Sequence, residues 1–420
     1  MSIDRSSAPI LHDISNISFK NPQITYISKF CPFIYWTDVK DQSVRLELHF
    51  NAGKNVGNKN ISFFVNSLLF TGTNKKSSFQ IHEELDQLGC YIQQQVTLES
   101  AYIGIYCLKN NLNAVLDIVL DSLQNAIFSE SEVQDMLIQK RQSLKLSLEK
   151  VNFLASKKIN ELFYNQHENY ARQLELEDLN SLNQEDLIDF YKEFYLNGLK
   201  KVVLVADLEE SKIKEIERNI LNWVQKESIT YLTSLSPEKG LFHVEKENAL
   251  QTSIKLVQPF HTKKHPDYFE FLFLQTVLGD YFGSRLMSNL REDKGFTYGI
   301  GSYVVEQKGF SIFGISTEVK KEVANEALVE IKKECEKLQI ELIGLDELNT
   351  VKQYKLGQLL RSTDGVNNLV DSFLSVFQQD LTLSFYQQYI QAIKEMDASC
   401  LQNMAKKYLN WEDFTIVTAG

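Results

Sequence analysis

Residues 283–305 read GSRLMSNLREDKGFTYGIGSYVV, and this stretch decides the fold because helix, turn and strand signals follow one another within it. An apolar helix pattern precedes it, with apolar residues or threonine at i, i+3, i+4, i+7 and i+8 counted from Phe269. The pattern predicts a buried helix, followed by a shorter helix that Ser284 caps and that Gly295 ends in the left-handed conformation. The shorter helix is expected to bury three apolar side chains, Leu286, Met287 and Leu290.

A strand is predicted over residues 296–305, in which Gly299 and Gly301 mark places where another backbone comes close. Arg291 lies at the end of the short helix and Tyr298 at the start of the strand. A guanidinium and a phenol placed in this way could converge on one acceptor, as an oxyanion-stabilising pair does. In the alternative interpretation, Arg291 complements the helix dipole and Tyr298 packs its ring.

The run G-S-R-L-x-x-x-L-R-E-x-x-G-x-x-Y resembles the second-half signature of the pitrilysin-like (insulinase-type) zinc peptidases. In that family an Arg and a Tyr seven residues apart assist catalysis, and Arg291 and Tyr298 match those two positions. The resemblance extends from residues 4–9 to the last predicted strand. It implies the LuxS/pitrilysin-like metalloenzyme fold, in which two similar halves are joined by a linker.

The length and composition predict a globular protein of two domains. A chain of 420 residues is too long for one ordinary core, and 43% hydrophobic with 24% charged residues is a globular balance. The formal net charge of −11 disfavours nucleic acid and anionic membranes as partners, and it is compatible with basic peptides. The sequence contains no apolar run of membrane-span length and no signal-peptide pattern, so a cytoplasmic location is expected.

The cysteines are widely spaced and form no C-x-x-C pair. This pattern predicts reduced thiols, most of them in the core, instead of a disulfide frame or a thiolate metal site. The five residues are Cys31, Cys90, Cys107, Cys335 and Cys400.

Residues 43–51 alternate between apolar and polar side chains, which predicts a strand buried on one face only. The apolar face consists of Val44, Leu46, Leu48 and Phe50. The solvent face is expected to carry Arg45, Glu47 and His49.

The two halves of the chain repeat one order of elements. The helix before Gly89 corresponds to the helix before Gly295, an offset of 206 residues, and two strand pairs are offset by 208 and 212. A near-constant offset indicates an internal duplication, so the predicted fold class is α+β, with two homologous halves that each form an antiparallel sheet covered by helices. The predicted domains are residues 1–225 and 241–420, joined by a linker over residues 226–240.

Zinc-bearing members of the family place H-x-x-E-H on a helix of the first half, where residues i, i+3 and i+4 share one face. Two imidazoles hold the metal and the Glu activates its water. The F-x-G-T tail at residues 70–73 fixes the register here, so Phe63 and Ser67 stand at the His positions and Asn66 at the Glu position. The family's third ligand is a Glu on a later helix, and the matching residues 140–144 contain no carboxylate. The sequence therefore predicts that this chain holds no metal.

The remaining histidines do not assemble a metal site in the sequence. His261 and His265 are four apart, but Pro259 and Pro266 flank them and disfavour a helix, so both are predicted to lie in a loop. His82 falls on the apolar face of a predicted helix and is interpreted as a core residue. No Ser-His-Asp or Cys-His constellation and no P-loop can be assembled either, so independent catalysis is not expected.

The resemblance and the replaced motif favour the non-zinc subunit of a two-chain zinc metallopeptidase. A homologous partner with an intact H-x-x-E-H would supply the zinc, and Arg291 and Tyr298 would assist at the carbonyl oxygen that zinc polarises. The substrate would be a peptide or an unfolded segment, bound partly by strand addition. Two alternatives remain open: a proteolytically inactive structural homologue that forms a homodimer or heterodimer, and a module that binds peptides without cutting them.

Overall fold

The computed structural model describes residues 14, 17, 20–57, 60–224 and 230–420. Residues 4–9 of the family resemblance and residues 226–229 of the predicted linker lie outside the described residues. The rest of the predicted linker, residues 230–239, forms neither helix nor strand. The domain boundary at residues 226–240 stays a prediction.

The strands of the described part of the chain form two sheets, one of six strands and one of five. The strands of the first sheet are β1 Gln23–Ser28, β2 Cys31–Trp36, β3 Ser43–Phe50, β4 Tyr91–Val96, β5 Ala101–Leu108 and β6 Leu199–Val205. The strands of the second sheet are β7 Gly240–Val244, β8 Gln251–Phe260, β9 Ile300–Glu306, β10 Ser311–Lys320 and β11 Thr415–Ala419.

Helices fill most of the chain between and after the strands. Those of the first half are α1 Ile61–Leu68, α2 Ser78–Gln87, α3 Leu112–Gln124, α4 Glu130–Leu148, α5 Val151–Phe163, α6 Glu168–Ala171, α7 Asp178–Ser181, α8 Gln184–Phe194 and α9 Glu210–Ile220. Those of the second half are α10 Tyr268–Gly279, α11 Ala324–Ile340, α12 Leu345–Ser362, α13 Val366–Phe377, α14 Ser384–Glu395 and α15 Ala398–Tyr408, together with a π-helix over Met287–Asp293.

The two sheets have the same strand order, which confirms the predicted fold class of two homologous α+β halves. The first sheet runs β1-β2-β6-β3-β5-β4 and the second β7-β11-β8-β10-β9, so each strand of the second sheet has a counterpart in the first, where β1 is an addition. The first pair of this common order is parallel in both sheets, β2 with β6 and β7 with β11. The next pair is antiparallel, β6 with β3 and β11 with β8. The sheets are therefore mixed, whereas the sequence predicts purely antiparallel ones.

The turns that the duplication argument uses are equivalent in the structure. Gly89 follows α2 with φ of 62°, and Gly295 follows the π-helix with φ of 64°. Each glycine leads into the strand at the end of its sheet, β4 or β9. Both positions require the left-handed conformation that glycine adopts without a steric penalty.

By compactness the chain separates into two units, each with its own core. One comprises Asn21–Pro259, Ser316–Ala324 and Phe414–Gly420, and the other includes Phe260–Ile315 and Asn325–Asp413. In the first, the apolar face of β3 packs with β5, β6 and the helices of the first half. In the second, Phe271 stacks on Phe260 with 3.9 Å between ring centroids and meets Phe313 edge to face at 5.0 Å.

The cysteines lie where the sequence predicts them. Four are buried, Cys400 is half-buried, and all five thiols are free. Burial raises the pKa of Cys31, Cys90 and Cys335 to about 12, so these thiols stay protonated and unreactive near neutral pH.

The polar face of β3 is not solvent-exposed, so the prediction of a strand buried on one face only is wrong. Arg45 and Glu47 are 8% and 4% exposed. Arg45 Nη2 donates to Glu47 Oε1 at 2.7 Å, and His49 Nε2 lies 2.8 Å from Glu47 Oε2. Burial acts to raise the pKa of Glu47, but its hydrogen bonds and charge interactions with His49 and Arg45 together hold that pKa at about 2. A strand with alternating apolar and polar residues can be buried on both faces when its polar side chains form hydrogen bonds and ion pairs with one another.

Candidate functional site

The segment that carries Arg291 is a π-helix over Met287–Asp293 instead of the α-helix that the sequence suggests. The amide of Lys294 donates to Asn289 O at 3.0 Å, and the amide of Phe296 donates to Leu290 O at 2.9 Å. Short π-helical turns are rare and occur often at functional sites. The three apolar side chains of this segment point inward as predicted, since Leu286, Met287 and Leu290 are buried.

Ser284 does not cap this helix with its side chain. Its carbonyl accepts the amide of Ser288 at 2.9 Å, but its Oγ is buried and has no hydrogen-bond partner. The predicted side-chain cap is therefore wrong, because the chain enters the helix through a turn in which Ser284 is fully buried.

Arg291 lies on the outside of the π-helix with 37% of its side chain exposed. Its guanidinium is 4.7 Å from the ring centroid of Phe282, a cation–π contact, and its Nε is 3.4 Å from Glu292 Oε1. These contacts position the guanidinium group without burying it. Several of its N–H donors remain available for an acceptor from outside the chain.

Tyr298 lies between Gly295 and β9, before the strand that it was predicted to open. Its side chain is 94% exposed, and within the described part of the chain its hydroxyl makes no hydrogen bond. No hydrogen bond or ring contact joins it to Arg291. The structure thus places both side chains on the same exposed segment but does not bring them into contact.

Two buried hydrogen bonds between Gln275 and Ser302 fix the strand that follows Tyr298. Gln275 Nε2 donates to Ser302 O at 2.7 Å, and Ser302 Oγ donates to Gln275 O at 2.9 Å. A Cβ on Gly301 would lie 3.4 Å from Gly279 O, so the predicted close approach of a second backbone is found at Gly301. At Gly299 no atom lies within 4 Å of such a Cβ, so the prediction is wrong there.

The residues predicted to stand at the zinc-ligand positions make contacts within the fold. Phe63 on α1 meets Phe64 edge to face, and Nζ of Lys140 on α4 lies 3.8 Å from the Phe63 ring centroid. Lys140 belongs to the region expected to hold the third ligand. A cation thus faces the first replaced His position, and it would repel a metal ion.

Asn66, at the predicted position of the family's Glu, makes a buried hydrogen bond within the fold. It is 3% exposed, and its Oδ1 accepts a hydrogen bond from the hydroxyl of Tyr195 at 2.9 Å. The Gln94 side chain donates to its backbone carbonyl. Ser67, at the second His position, is half-buried. Within the described residues no group of three or more His, Cys, Asp or Glu side chains is arranged to hold a metal ion.

The remaining histidines behave differently from one another. His261 and His265 lie in the loop between β8 and α10 as predicted, with their rings stacked 3.7 Å apart. His82 is exposed, so its interpretation as a core residue is wrong. The buried residues of α2 are Ile81 and Leu85, so the position next to His82 takes the place expected for it in the core.

Of the helices formed by the described residues, none combines the length and the apolar character needed to cross a membrane.

Two descriptions of one peptidase family match the sequence. "Insulinase (Peptidase family M16)" matches residues 33–176, and "Peptidase M16 inactive domain" matches residues 181–355. Together they account for most of the chain.

Several known proteins resemble the chain over most of its length. A Bacillus subtilis protein named "Uncharacterized zinc protease YmxG" is 24% identical, with 85% of this chain and 87% of that protein covered. "Non-peptidase homolog YmxG" of Helicobacter pylori is 23% identical over 88% and 87%. A probable mitochondrial-processing peptidase subunit beta of Arabidopsis thaliana is 20% identical over 85% and 70%. The fold is similar to that of a solved peptidase M16 inactive domain from Pseudomonas fluorescens, with a TM-score of 0.84, 21% identity and coverage of 96% and 98%.

Proposed function

The chain belongs to the pitrilysin-like (insulinase-type, M16) peptidase family, and from that premise we propose that it is the non-zinc subunit of a two-chain zinc metallopeptidase. The partner would be a homologous chain with an intact H-x-x-E-H that holds the zinc. This chain would supply Arg291 and Tyr298 to the peptide substrate. Domain organisation supports the proposal, since the family's inactive-domain description matches residues 181–355, which include both side chains.

The observation that carries the proposal is the contrast between the two candidate sites. At the replaced zinc site, Lys140 covers Phe63, and Tyr195 engages Asn66, so those positions serve the fold. Tyr298, by contrast, has 94% of its side chain exposed. A tyrosine retained for packing would bury its ring, so this exposure supports a role toward a molecule outside the chain.

The chemistry that the pair would supply is stabilisation of negative charge. The partner's zinc would supply an activated water, and negative charge would develop on the carbonyl oxygen of the peptide that is attacked. Arg291 offers several N–H donors and Tyr298 one O–H donor, and donors aimed at such an oxygen act mainly on turnover. Because the two side chains make no contact with each other, the substrate oxygen itself would bring them together.

The partnership is supported by relatives whose names describe subunits, such as the mitochondrial-processing peptidase subunit beta of Saccharomyces cerevisiae. The alternative of an inactive structural homologue is favoured by a different relative, which is named a non-peptidase homolog. In that case the chain would dimerise without any proteolysis, and Arg291 and Tyr298 would have no effect on turnover.

The test is to purify the chain from its native cell with its partner, identify the partner by mass spectrometry, and measure peptide turnover by the complex. We expect Tyr298→Phe, which removes only the hydroxyl, to reduce turnover on the order of 100-fold to 1,000-fold. Arg291→Ala should have an effect of similar size. The melting temperature should stay unchanged in Tyr298→Phe, because the ring is exposed.

Tyr91→Phe is a matched control, since Tyr91 is also exposed, at 64%, and lies on the first sheet. It should leave turnover unchanged. Full turnover in both Tyr298→Phe and Arg291→Ala would refute the proposed role and leave the inactive homologue as the better interpretation.

A further inference from the structure

A polar cleft of about 340 Å³ opens beside the replaced zinc site, on the first half of the chain. Its volume lies within the range of about 300–1,000 Å³ that is usual for ligand pockets. Among the described residues its lining includes three cationic side chains and no carboxylate, although the chain as a whole carries a net charge of −11. The lining residues used below are Lys54, Asn60, Lys140, Tyr170 and Arg172.

Two of the three cations have no anionic partner within the described part of the chain. The ammonium of Lys140 lies over the face of Phe63, and Lys54 is exposed. Burial, and secondarily the charge of Lys54, lower the pKa of Lys140, which shows that the two ammonium groups are close enough to repel each other. The third cation, Arg172, is paired with Asp178 at 3.1 Å. An anion between Lys54 and Lys140 would relieve this repulsion.

The cleft also presents a hydrogen-bonding group that the described part of the chain does not satisfy. Oδ1 of Asn60, a lining residue, is buried without a hydrogen-bond partner. Behind the lining, Asn55 Nδ2 donates to the hydroxyl of Tyr170 at 3.3 Å. A buried acceptor without a donor costs free energy, so N–H groups are favoured beside it. The hydroxyl of Tyr170 donates to Glu99 Oε1 at 3.4 Å, so this tyrosine is paired with a carboxylate outside the lining.

The start of α1 adds to the positive potential. Asn60 is the residue before this helix, and no side chain caps the helix there. The uncapped amides at a helix N-terminus carry partial positive charge and favour anions. The cleft thus combines two ammonium groups, a helix N-terminus and one carbonyl-type acceptor without a partner, Oδ1 of Asn60.

We propose that this cleft binds the carboxylate of a peptide, with Lys54 and Lys140 on the carboxylate oxygens and Asn60 on a neighbouring peptide N–H. A peptide provides both requirements at once, because its amide donors lie next to its α-carboxylate or to an acidic side chain. Where active relatives use a metal ion to polarise a peptide carbonyl, this chain would use fixed ammonium groups to hold a carboxylate.

The test measures the binding of fluorescent nonapeptides to the full chain by anisotropy. The probes are a peptide of uncharged residues with a free C-terminus, the same peptide with an amidated C-terminus, and an amidated version with one Glu. We expect at least one carboxylate probe to bind about tenfold or more tightly than the uncharged amide, which is the range of a charge-assisted hydrogen bond. Lys54→Gln and Lys140→Gln should each abolish most of that preference.

Lys145→Gln is the matched control, because Lys145 is an exposed lysine on the same helix as Lys140. Preference for the free C-terminus identifies the α-carboxylate, and preference for the Glu probe identifies a side-chain carboxylate. Equal binding of all three probes, or a preference that survives in both lysine variants, overturns the proposal. Lys54→Gln alters an exposed residue, so it remains informative if Lys140→Gln fails to fold. The assay needs neither zinc nor a partner, so its result is independent of the roles proposed for Arg291 and Tyr298.

Discussion

The hydrogen bond between Tyr195 and Asn66 gives a quantitative prediction about the position that the sequence assigns to the family's Glu. Tyr195 is 2% exposed, Asn66 is 3% exposed, and the hydroxyl donates to Oδ1 at 2.9 Å. Tyr195→Phe leaves that oxygen buried without its donor, and Asn66→Leu leaves the hydroxyl buried without its acceptor. Each single change should lower the free energy of unfolding by about 1–3 kcal/mol, the desolvation cost of an unpaired buried group.

The double variant should be less destabilised than the sum of the two single variants by at least about 1 kcal/mol, because removing both partners leaves no orphaned polar atom. Urea unfolding followed by circular dichroism measures all four proteins, and Tyr26→Phe, in which the ring is 61% exposed, serves as the control with no expected change. Additive effects, or a Tyr195→Phe protein as stable as the wild type, would show that Asn66 is not held by this bond.

Two further predictions concern the charge pair on β3 and the zinc positions. Burial lowers the pKa of His49 to about 4, so the stabilisation that the neutral imidazole provides should be lost as the pH falls from about 6.5 to 4. The pKa of Glu47 is held at about 2, so the stabilisation that its carboxylate provides should be lost as the pH falls from about 4.5 to 2. Melting temperatures measured across this range should fall in both windows, and Glu47→Gln should flatten the lower one; an unchanged profile would contradict the assignment. The triple variant Phe63→His, Ser67→His, Lys140→Glu should bind one zinc per chain by elemental analysis whereas the wild type binds none, because it restores three ligands on facing helices. A folded triple variant without zinc would show that the assumed register is wrong.

Local signals in the sequence predict the turns and the duplication well. Gly89 and Gly295 adopt the left-handed conformation because glycine is the residue that reaches it without strain, so the sequence alone locates both turns. Helix α10 is also found where the spacing from Phe269 predicts it, as Tyr268–Gly279. These features depend on neighbours a few residues apart, which a single sequence displays directly.

Features that depend on distant partners could not be predicted in the same way. The burial of Arg45 and Glu47 requires that the polar face of β3 be covered, and the alternation of one strand does not show what lies over it. The contact of Lys140 with Phe63 requires the relative placement of α4 and α1. The sequence shows that residues 140–144 lack a carboxylate, but it does not show that the ammonium of Lys140 takes up that space.

The candidate site was predictable only in part. The resemblance selects Arg291 and Tyr298, and both are found on one segment. The π-helix that carries Arg291 and the 94% exposure of Tyr298 have no signal in the local sequence pattern. Ser284 illustrates the same difficulty. A serine before a helix is usually a cap, yet here Ser284 is fully buried in the turn that enters the helix, and its Oγ has no hydrogen-bond partner.

The additional strand β1 changes how copies of this protein can meet. A chain with two similar sheets would have two equivalent edge strands. An exposed edge strand has unpaired backbone groups with which a strand of another chain can pair. In the first half β1 covers the edge of β2, and the irregular register between Tyr26 and Ser28 disturbs further growth on its outer side. In the second half β7, five residues long and regularly paired with β11, ends its sheet. The edge formed by β1 therefore differs from the edge formed by β7. The duplication has not left two identical sheet edges through which copies of the chain could polymerise.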